Sequence, residues 1–218
     1  MEDTICAVST APGAGGIAVI RISGPEAIAI CNTIFVPRTA GKGLLSQKAY
    51  TLRYGSIRRG EELIDEVLIA LFRAPHSFTG EDTVEITCHG SVYIQQQIMQ
   101  LLIERGCRSA LPGEYTQRAF MNGKMDLSQA EAVADLIAST SAGQHRLALN
   151  QMRGDFSHEL KNLREQLLHI TSLMELELDF SDHEELEFAD RSELSTLAAH
   201  IETVISRLAN SFSVGNAI

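Results

Sequence analysis

From Thr83 to Cys88 apolar and polar residues alternate, with Val84, Ile86 and Cys88 on one face and Thr83, Glu85 and Thr87 on the other. A repeat of two residues predicts a half-buried strand. Ile17-Ala18-Val19-Ile20-Arg21-Ile22 predicts another, since this β-prone run follows a glycine-rich loop and stops at Ser23-Gly24-Pro25. Pro25 suits the first turn of a helix reaching about Thr33. Ala49 to Ile57 and Val67 to Phe72 read as further strands. A helix is expected from Val92 to Glu104, ended by Gly106, and then a short strand near Arg108 to Leu111. Strands and helices interleaved in this irregular order predict a mixed domain of the α+β class.

After Phe120 the period becomes purely helical, which divides the chain into residues 1–119 and an all-α bundle segment, 120–218. Ser128-Gln129-Ala130-Glu131 has the spacing of a capping box, and Ala130, Val133, Ala134, Ile137 and Ala138 then form one stripe. Phe156, Leu160, Leu163, Leu167, Ile170 and Met174 form a second. Asp190-Arg191-Ser192-Glu193 opens a third helix, striped by Leu194, Leu197, Ala198, Ile201, Val204, Ile205 and Leu208. These stripes read as core or interface rather than as a cofactor box. The acidic residues Asp179, Asp182, Glu184, Glu185 and Glu187 between the last two helices do not match an EF-hand loop and read as a solvated linker.

Charge sharpens the same division. Up to Phe120 there are 11 Lys+Arg against 12 Asp+Glu, and the rest of the chain holds 7 against 16, so nearly all of the net −10 lies in the second part. That part offers a nucleic acid no broad basic face. With 44% apolar residues and no run of 18 or more, the chain is expected to fold as a globular protein without a membrane span. No secretory or transit signal is read at Met1-Glu2-Asp3. The scattered Cys6, Cys31, Cys88 and Cys107 form no C-x-x-C pair, which fits a reducing cytoplasm better than a disulfide framework or a Cys-rich zinc site.

Several residues could carry chemistry. Gly13-Ala14-Gly15-Gly16 precedes a strand, whereas a phosphate-cradling loop follows a strand and opens a helix, so its glycines read as close backbone approach to a ligand or another segment. Arg21 lies within an apolar strand and needs an acceptor, either an internal carboxylate or the anionic group of a ligand. Glu85 poses the mirror question, because a carboxylate can accept two parallel N–H bonds from the amidine-like edge of a pterin or guanine. Those two residues could equally pair with each other. His89 is a candidate base without an evident partner, and Cys88 beside it points to the opposite strand face, so a Cys–His nucleophile finds little support. Lys124 follows the glycine stop at Gly123, where the two parts meet, and such junctions favour ligands.

Three motifs together resemble the MnmE (TrmE) family of tRNA modification GTPases: Ala11-Pro12-Gly13-Ala14-Gly15-Gly16-Ile17 through Gly24, Ser77-Phe78-Thr79-Gly80-Glu81-Asp82, and Pro112 to Ile137 with Arg118-Ala119-Phe120 and Asn122-Gly123-Lys124. The resemblance implies an N-terminal folate-binding and dimerising domain similar to aminomethyltransferases, followed by a helical domain into which a GTP-binding domain is inserted. It implies a 5-formyl- or 5,10-methylene-tetrahydrofolate cofactor, with Arg21, Glu85 and Lys124 at the family's folate-contacting positions. Glu85 would hold the pterin edge while Arg21 and Lys124 offset charge on the folate. It further implies a cytoplasmic homodimer that joins the flavoprotein MnmG in a heterotetramer, with tRNA as substrate. By the same resemblance, the complex would place an aminomethyl-type group at C5 of the wobble uridine. Two details depart from the family: Ser91 follows His89-Gly90 where a second glycine is usual, and Leu111 stands where arginine is common. There is also no G-x-x-x-x-G-K-[ST] motif and no C-terminal Cys-x-Gly-Lys. The 218 residues are therefore expected to be the N-terminal portion of such a protein, with GTP, Mg2+ and K+ bound by a domain outside them. A stand-alone tetrahydrofolate-binding module or one-carbon transferase is the alternative, and a purely structural dimerisation module is a third reading.

Overall fold

A computed structural model describes residues 3–39, 43–179 and 195–206. The chain forms two compact units, Met1–Met125 and Asp126–Ile218. The division falls after Met125, and the boundary expected after Ala119 lies inside a short helix over Glu114–Met121 that belongs to the first unit, where Arg118 and Ala119 are completely buried.

The first unit is built on seven strands: β1 (Ile5–Val8), β2 (Ile17–Ser23), β3 (Phe35–Pro37), β4 (Thr51–Arg59), β5 (Glu62–Phe72), β6 (Thr83–His89) and β7 (Arg108–Ser109). They form one sheet in the order β3-β4-β5-β6-β2-β1-β7. Every pairing is antiparallel except the short β1–β7 contact. Helices α1 (Ala27–Ile34) and α2 (Val92–Glu104) supply Ile28, Ile34, Ile98, Leu101 and Leu102 to the same core as Ala18, Ile20 and Ile22 of β2 and Val84, Ile86 and Cys88 of β6. This helix-on-sheet layering is the α+β arrangement expected from the sequence.

Alternation settles which side of each strand is covered. From Ile17 to Ile22 of β2 the buried set is Ala18, Ile20 and Ile22, so Arg21 shares the other side with Val19, with Ile17, which is 66% exposed, and with Ser23, which is buried at the strand's end. The apolar surroundings expected for Arg21 are thus replaced by a partly open sheet face. Directly opposite residues continue that face across the sheet: Arg21 pairs with Glu85, Val19 with Thr87, Thr87 with Leu68, Leu68 with Tyr54, and Ala70 with Leu52.

The glycine-rich loop makes close backbone contact with another segment. Gly15 N–H donates to Gly90 O at 3.0 Å, and a Cβ on Gly90 would come within 2.6 Å of the Gly15 carbonyl carbon. Any side chain at Gly90 must push the two backbones apart.

A short helix, α3 (Glu114–Met121), completes the first unit. The second unit contains α4 (Leu127–Ala138), α5 (Ala142–Met152), α6 (Asp155–Asp179) and a helical stretch over 195–206. The N-cap of α4 is Asp126 rather than Ser128: its carboxylate accepts from Gln129 N–H while the Gln129 side chain returns to the Asp126 N–H. Gln129 also donates to Met152 O, which ties α4 to α5. Of the stripe expected on α4, Ile137 is 83% exposed and Ala134 is exposed, while Ala132 is the buried residue. Leu163, Ile201 and Val204, with Leu197 against them, form a small core that matches the other two stripes in part. Leu160, Leu167 and Met174 are exposed. The acidic residues Asp182, Glu184, Glu185 and Glu187, the capping box at Asp190, and stripe members Leu194 and Leu208 lie outside the described residues. So do the side chains of Phe156 and Asp179. Among the described residues no helix is long and apolar enough to cross a membrane.

Candidate functional site

Arg21 and Glu85 face each other across β2 and β6, and the register makes them direct neighbours. Arg21 Nη2 and Nε lie 2.8 and 2.9 Å from the same oxygen, Glu85 Oε1. The second oxygen of Glu85 is thereby left outside the fork, and both side chains remain about a quarter exposed. Of the readings open for these residues, the structure shows the mutual pair.

Two aromatic rings flank the arginine. The guanidinium carbon is 5.8 Å from the Phe78 ring centre and 5.7 Å from that of Tyr115, both within cation–π range. Phe78 comes from the loop between β5 and β6, and Tyr115 from the first turn of α3. The Tyr115 hydroxyl donates to Arg21 O at 2.6 Å, and burial pushes its titration upward, so it stays a neutral donor. The rings fix the guanidinium plane while leaving its charge facing an open sheet surface, an arrangement suited to a planar ligand with an anionic or carbonyl edge.

Lys124 joins this cluster through the Phe78 loop. Its ammonium donates to Pro75 O at 3.0 Å, and its stem runs along Gly80, where a Cβ would meet Lys124 Cγ at 3.2 Å. Gly80 has φ +79°, the left-handed region that glycine adopts without strain. Asn122 also holds the loop, donating to Thr79 O at 2.7 Å. Arg21, Glu85 and Lys124 are thus set around one loop, the first two in contact and the third holding the loop's backbone.

Beneath the site lies an ion network that sequence reading did not find. Arg118 donates to Asp3 Oδ1 at 2.7 Å, to Glu114 Oε1 at 3.1 Å, and to Glu81 Oε1 and Oε2 at 3.1 and 3.3 Å. Arg108 bridges Asp3 and Glu114 from the other side, with Nη2 2.6 Å from each. The i,i+4 spacing of Glu114 and Arg118 was the one local signal available. Hydrogen bonds from Arg108 first, with help from the Leu111 N–H and Arg118, hold the Glu114 carboxyl down at about 2 against the opposing effect of its burial. A folded-state value below the unfolded one of 4.5 means the unfolded chain binds the extra proton. The contribution is therefore fully present above about pH 4.5 and lost as pH falls toward 2. Acid titration of Glu114→Gln should lack a stability loss on the order of 2 kcal/mol seen in the parent over that window, as read by urea melts.

The remaining candidates resolve as follows. His89 Nδ1 lies 2.7 Å from Asp65 Oδ1, and the His89 N–H donates to Asp65 Oδ2 at 2.8 Å, so Asp65 is the partner that sequence reading lacked. Cys88 is buried on the core side, donates to Ala18 O at 3.6 Å, and is pushed up to about 11 by burial, which leaves its thiol protonated at neutral pH. Ser91 is the N-cap of α2 without a side-chain cap bond. The Leu111 side chain is exposed, and its N–H donates to Glu114 at 2.7 Å, so both departures from the family pattern fall on positions where the side chain makes no specific bond.

Comparison with known proteins follows the same division. A family profile described as "GTP-binding protein TrmE N-terminus" matches residues 4–124, and one described as "MnmE helical domain" matches residues 127–218. A protein named tRNA modification GTPase MnmE from Parabacteroides distasonis is 80% identical over 216 residues, covering 99% of this chain and 47% of that protein. A protein of the same name from Bacteroides fragilis is 70% identical over 217 residues, covering 100% of this chain and 46% of its own length. One from Porphyromonas gingivalis is 55% identical with the same coverage. The chain spans about half the length of the curated relatives it matches.

Proposed function

The chain belongs to the MnmE (TrmE) family, and from that membership together with the Arg21–Glu85 site we propose that it is the folate-binding and dimerising part of a tRNA-modifying GTPase. GTP hydrolysis would rest on residues outside these 218, which hold no Walker motif. The whole protein would act with MnmG on the wobble uridine of tRNA, taking the one-carbon unit from a tetrahydrofolate. The domain division for this role is 1–125 for folate binding and dimerisation and 126–218 for the first part of the helical domain.

One observation carries the folate reading: a guanidinium–carboxylate pair on an open sheet face whose guanidinium lies over two aromatic rings. A pterin offers both complements, an amidine edge for Glu85 and a carbonyl oxygen for Arg21. Both side chains keep enough exposure to exchange their mutual bonds for ligand bonds. Lys124 can turn its ammonium from a single carbonyl acceptor toward the folate's anionic end. Calorimetry with 5-formyl-tetrahydrofolate tests this in the full-length protein. Glu85→Ala and Arg21→Ala should each weaken binding by about tenfold or more, the size expected for losing a charge-assisted hydrogen bond. Unchanged affinity in both folded variants would overturn the assignment.

Dimerisation is supported by the sheet face that α1 and α2 leave uncovered. Leu52 is 71% exposed, with Tyr54 and Leu68 exposed beside it on the same face as Arg21 and Glu85. A contiguous apolar surface of this kind marks an association site. Leu52→Asp combined with Leu68→Asp should convert the full-length dimer to monomer in sedimentation at micromolar concentration, and an unchanged dimer would place the interface elsewhere.

A further inference from the structure

The two rings that flank Arg21 come from segments far apart in sequence, and something must set the gap between them. Phe78 belongs to the loop that continues as Thr79, Gly80 and Glu81, while Tyr115 sits on α3, one turn before Arg118. Arg118 to Glu81 is the ion pair between these two elements, beside the neutral bond from Asn122, the C-cap residue of α3, to Thr79 O. Arg118 is completely buried and anchors in turn to Asp3 and Glu114, so the helix side of the bond is fixed. Glu81 is anchored on the loop side: Oε2 accepts from Ser23 Oγ at 2.8 Å, and Ser23 Oγ also lies 2.7 Å from Thr79 Oγ1. Ser23 is two residues beyond Arg21 on β2.

The chain of contacts therefore closes on itself. Arg21 leads along β2 to Ser23, through Glu81 to Arg118, along α3 to Tyr115, and from the Tyr115 hydroxyl back to Arg21 O. We infer that Arg118, acting through Glu81, is a positioning residue that sets the spacing of the Phe78 and Tyr115 rings and so holds the Arg21 guanidinium in its ligand-receiving orientation. The inference deepens the folate reading and rests on it only for the ligand. A guanidinium is required because three carboxylates and a backbone carbonyl converge on it from different directions. The single ammonium of lysine cannot reach all four at these distances. Glutamine at position 81 can keep the Ser23 bond yet loses the charged partner that draws the loop to α3.

Arginine-selective nitrogen-15 NMR and folate calorimetry on the full-length protein test this together. Variants are Glu81→Gln and Arg118→Lys, with Ile98→Val as a core control that lowers stability without touching the network. In the parent, the Arg21 Nε–H resonance should be displaced by ring currents from Phe78 and Tyr115, and Arg21→Lys would identify it by loss. Glu81→Gln and Arg118→Lys should collapse that displacement and weaken 5-formyl-tetrahydrofolate by about tenfold or more at a temperature where each is folded, while Ile98→Val changes neither. A retained displacement in both network variants overturns the inference, whatever the ligand does. A collapsed displacement in a protein whose parent form binds no folate upholds the positioning role and overturns the folate reading instead. Affinity falling equally in Ile98→Val would show that stability alone is being read, and overturns it as well.

Discussion

Arg118→Met should lower the stability of the first unit by about 3–5 kcal/mol, the penalty for removing one partner from a buried ion network. The side chain is completely buried and is shared by Asp3, Glu81 and Glu114. Methionine has similar volume and fills the space, so the loss is electrostatic rather than a cavity. Glu81 would keep the Ser23 hydroxyl, Asp3 would keep Arg108, and Glu114 would keep Arg108 and the Leu111 N–H. The N-terminal segment, the Phe78 loop and α3 are joined by this one residue, so the effect should be cooperative across the unit. Differential scanning calorimetry should show the corresponding transition shifted down by roughly 10–20 °C. A shift of under about 3 °C would mean that the network contributes little net stability, as many ion pairs do.

Five of the seven strands, β2, β4, β5, β6 and β7, were legible in the sequence, and β6 showed its covered side too because one of its faces is core. Val84, Ile86 and Cys88 alternate with Thr83, Glu85 and Thr87, and burial follows that alternation from Val84 onward, Thr83 being buried as well. β2 was legible as a strand but not as to its covered side, because Ile17 to Ile22 is apolar on both faces apart from Arg21. Which side faces helices is decided by α1 and α2, which are distant in sequence. On α4 the capping residue was displaced by two positions because Asp126 and Ser128 both have a suitable residue three places on, and a carboxylate accepting from Gln129 won. Alanines gave the α4 stripe no size contrast, so Ala132 could not be told from Ala130 or Ala134. At the site, Arg21, Glu85 and Lys124 were singled out from local anomalies and then from family resemblance. Phe78, Tyr115 and the Arg118 partners carry no local anomaly. Arg118 draws on residues 115, 37 and 4 positions away, and only the last of these is a helical spacing.

Exchanging the two charges separates a structural pair from a ligand site. In Arg21→Glu with Glu85→Arg, opposite charges still face each other across the same antiparallel register. Partly exposed pairs contribute little, so the double variant should lie within about 1 kcal/mol of the parent, allowing for the lost stacking on Phe78 and Tyr115. Either single exchange should cost more, because two like charges then meet directly opposite each other. Ligand binding depends on where each sign stands and not only on their pairing. A pterin amidine edge that finds a guanidinium in place of the Glu85 carboxylate meets donors against donors, and its carbonyl edge meets a carboxylate. Affinity for 5-formyl-tetrahydrofolate should therefore fall by about 100-fold or more in the double variant, as two charge-assisted bonds are lost and two repulsions gained. Thermal melts and calorimetry on the same preparations read both quantities. Parent-like melting with binding abolished is the expected result, whereas parent-like melting with parent-like affinity would reduce Arg21 and Glu85 to a cross-strand ion pair and move the folate site elsewhere.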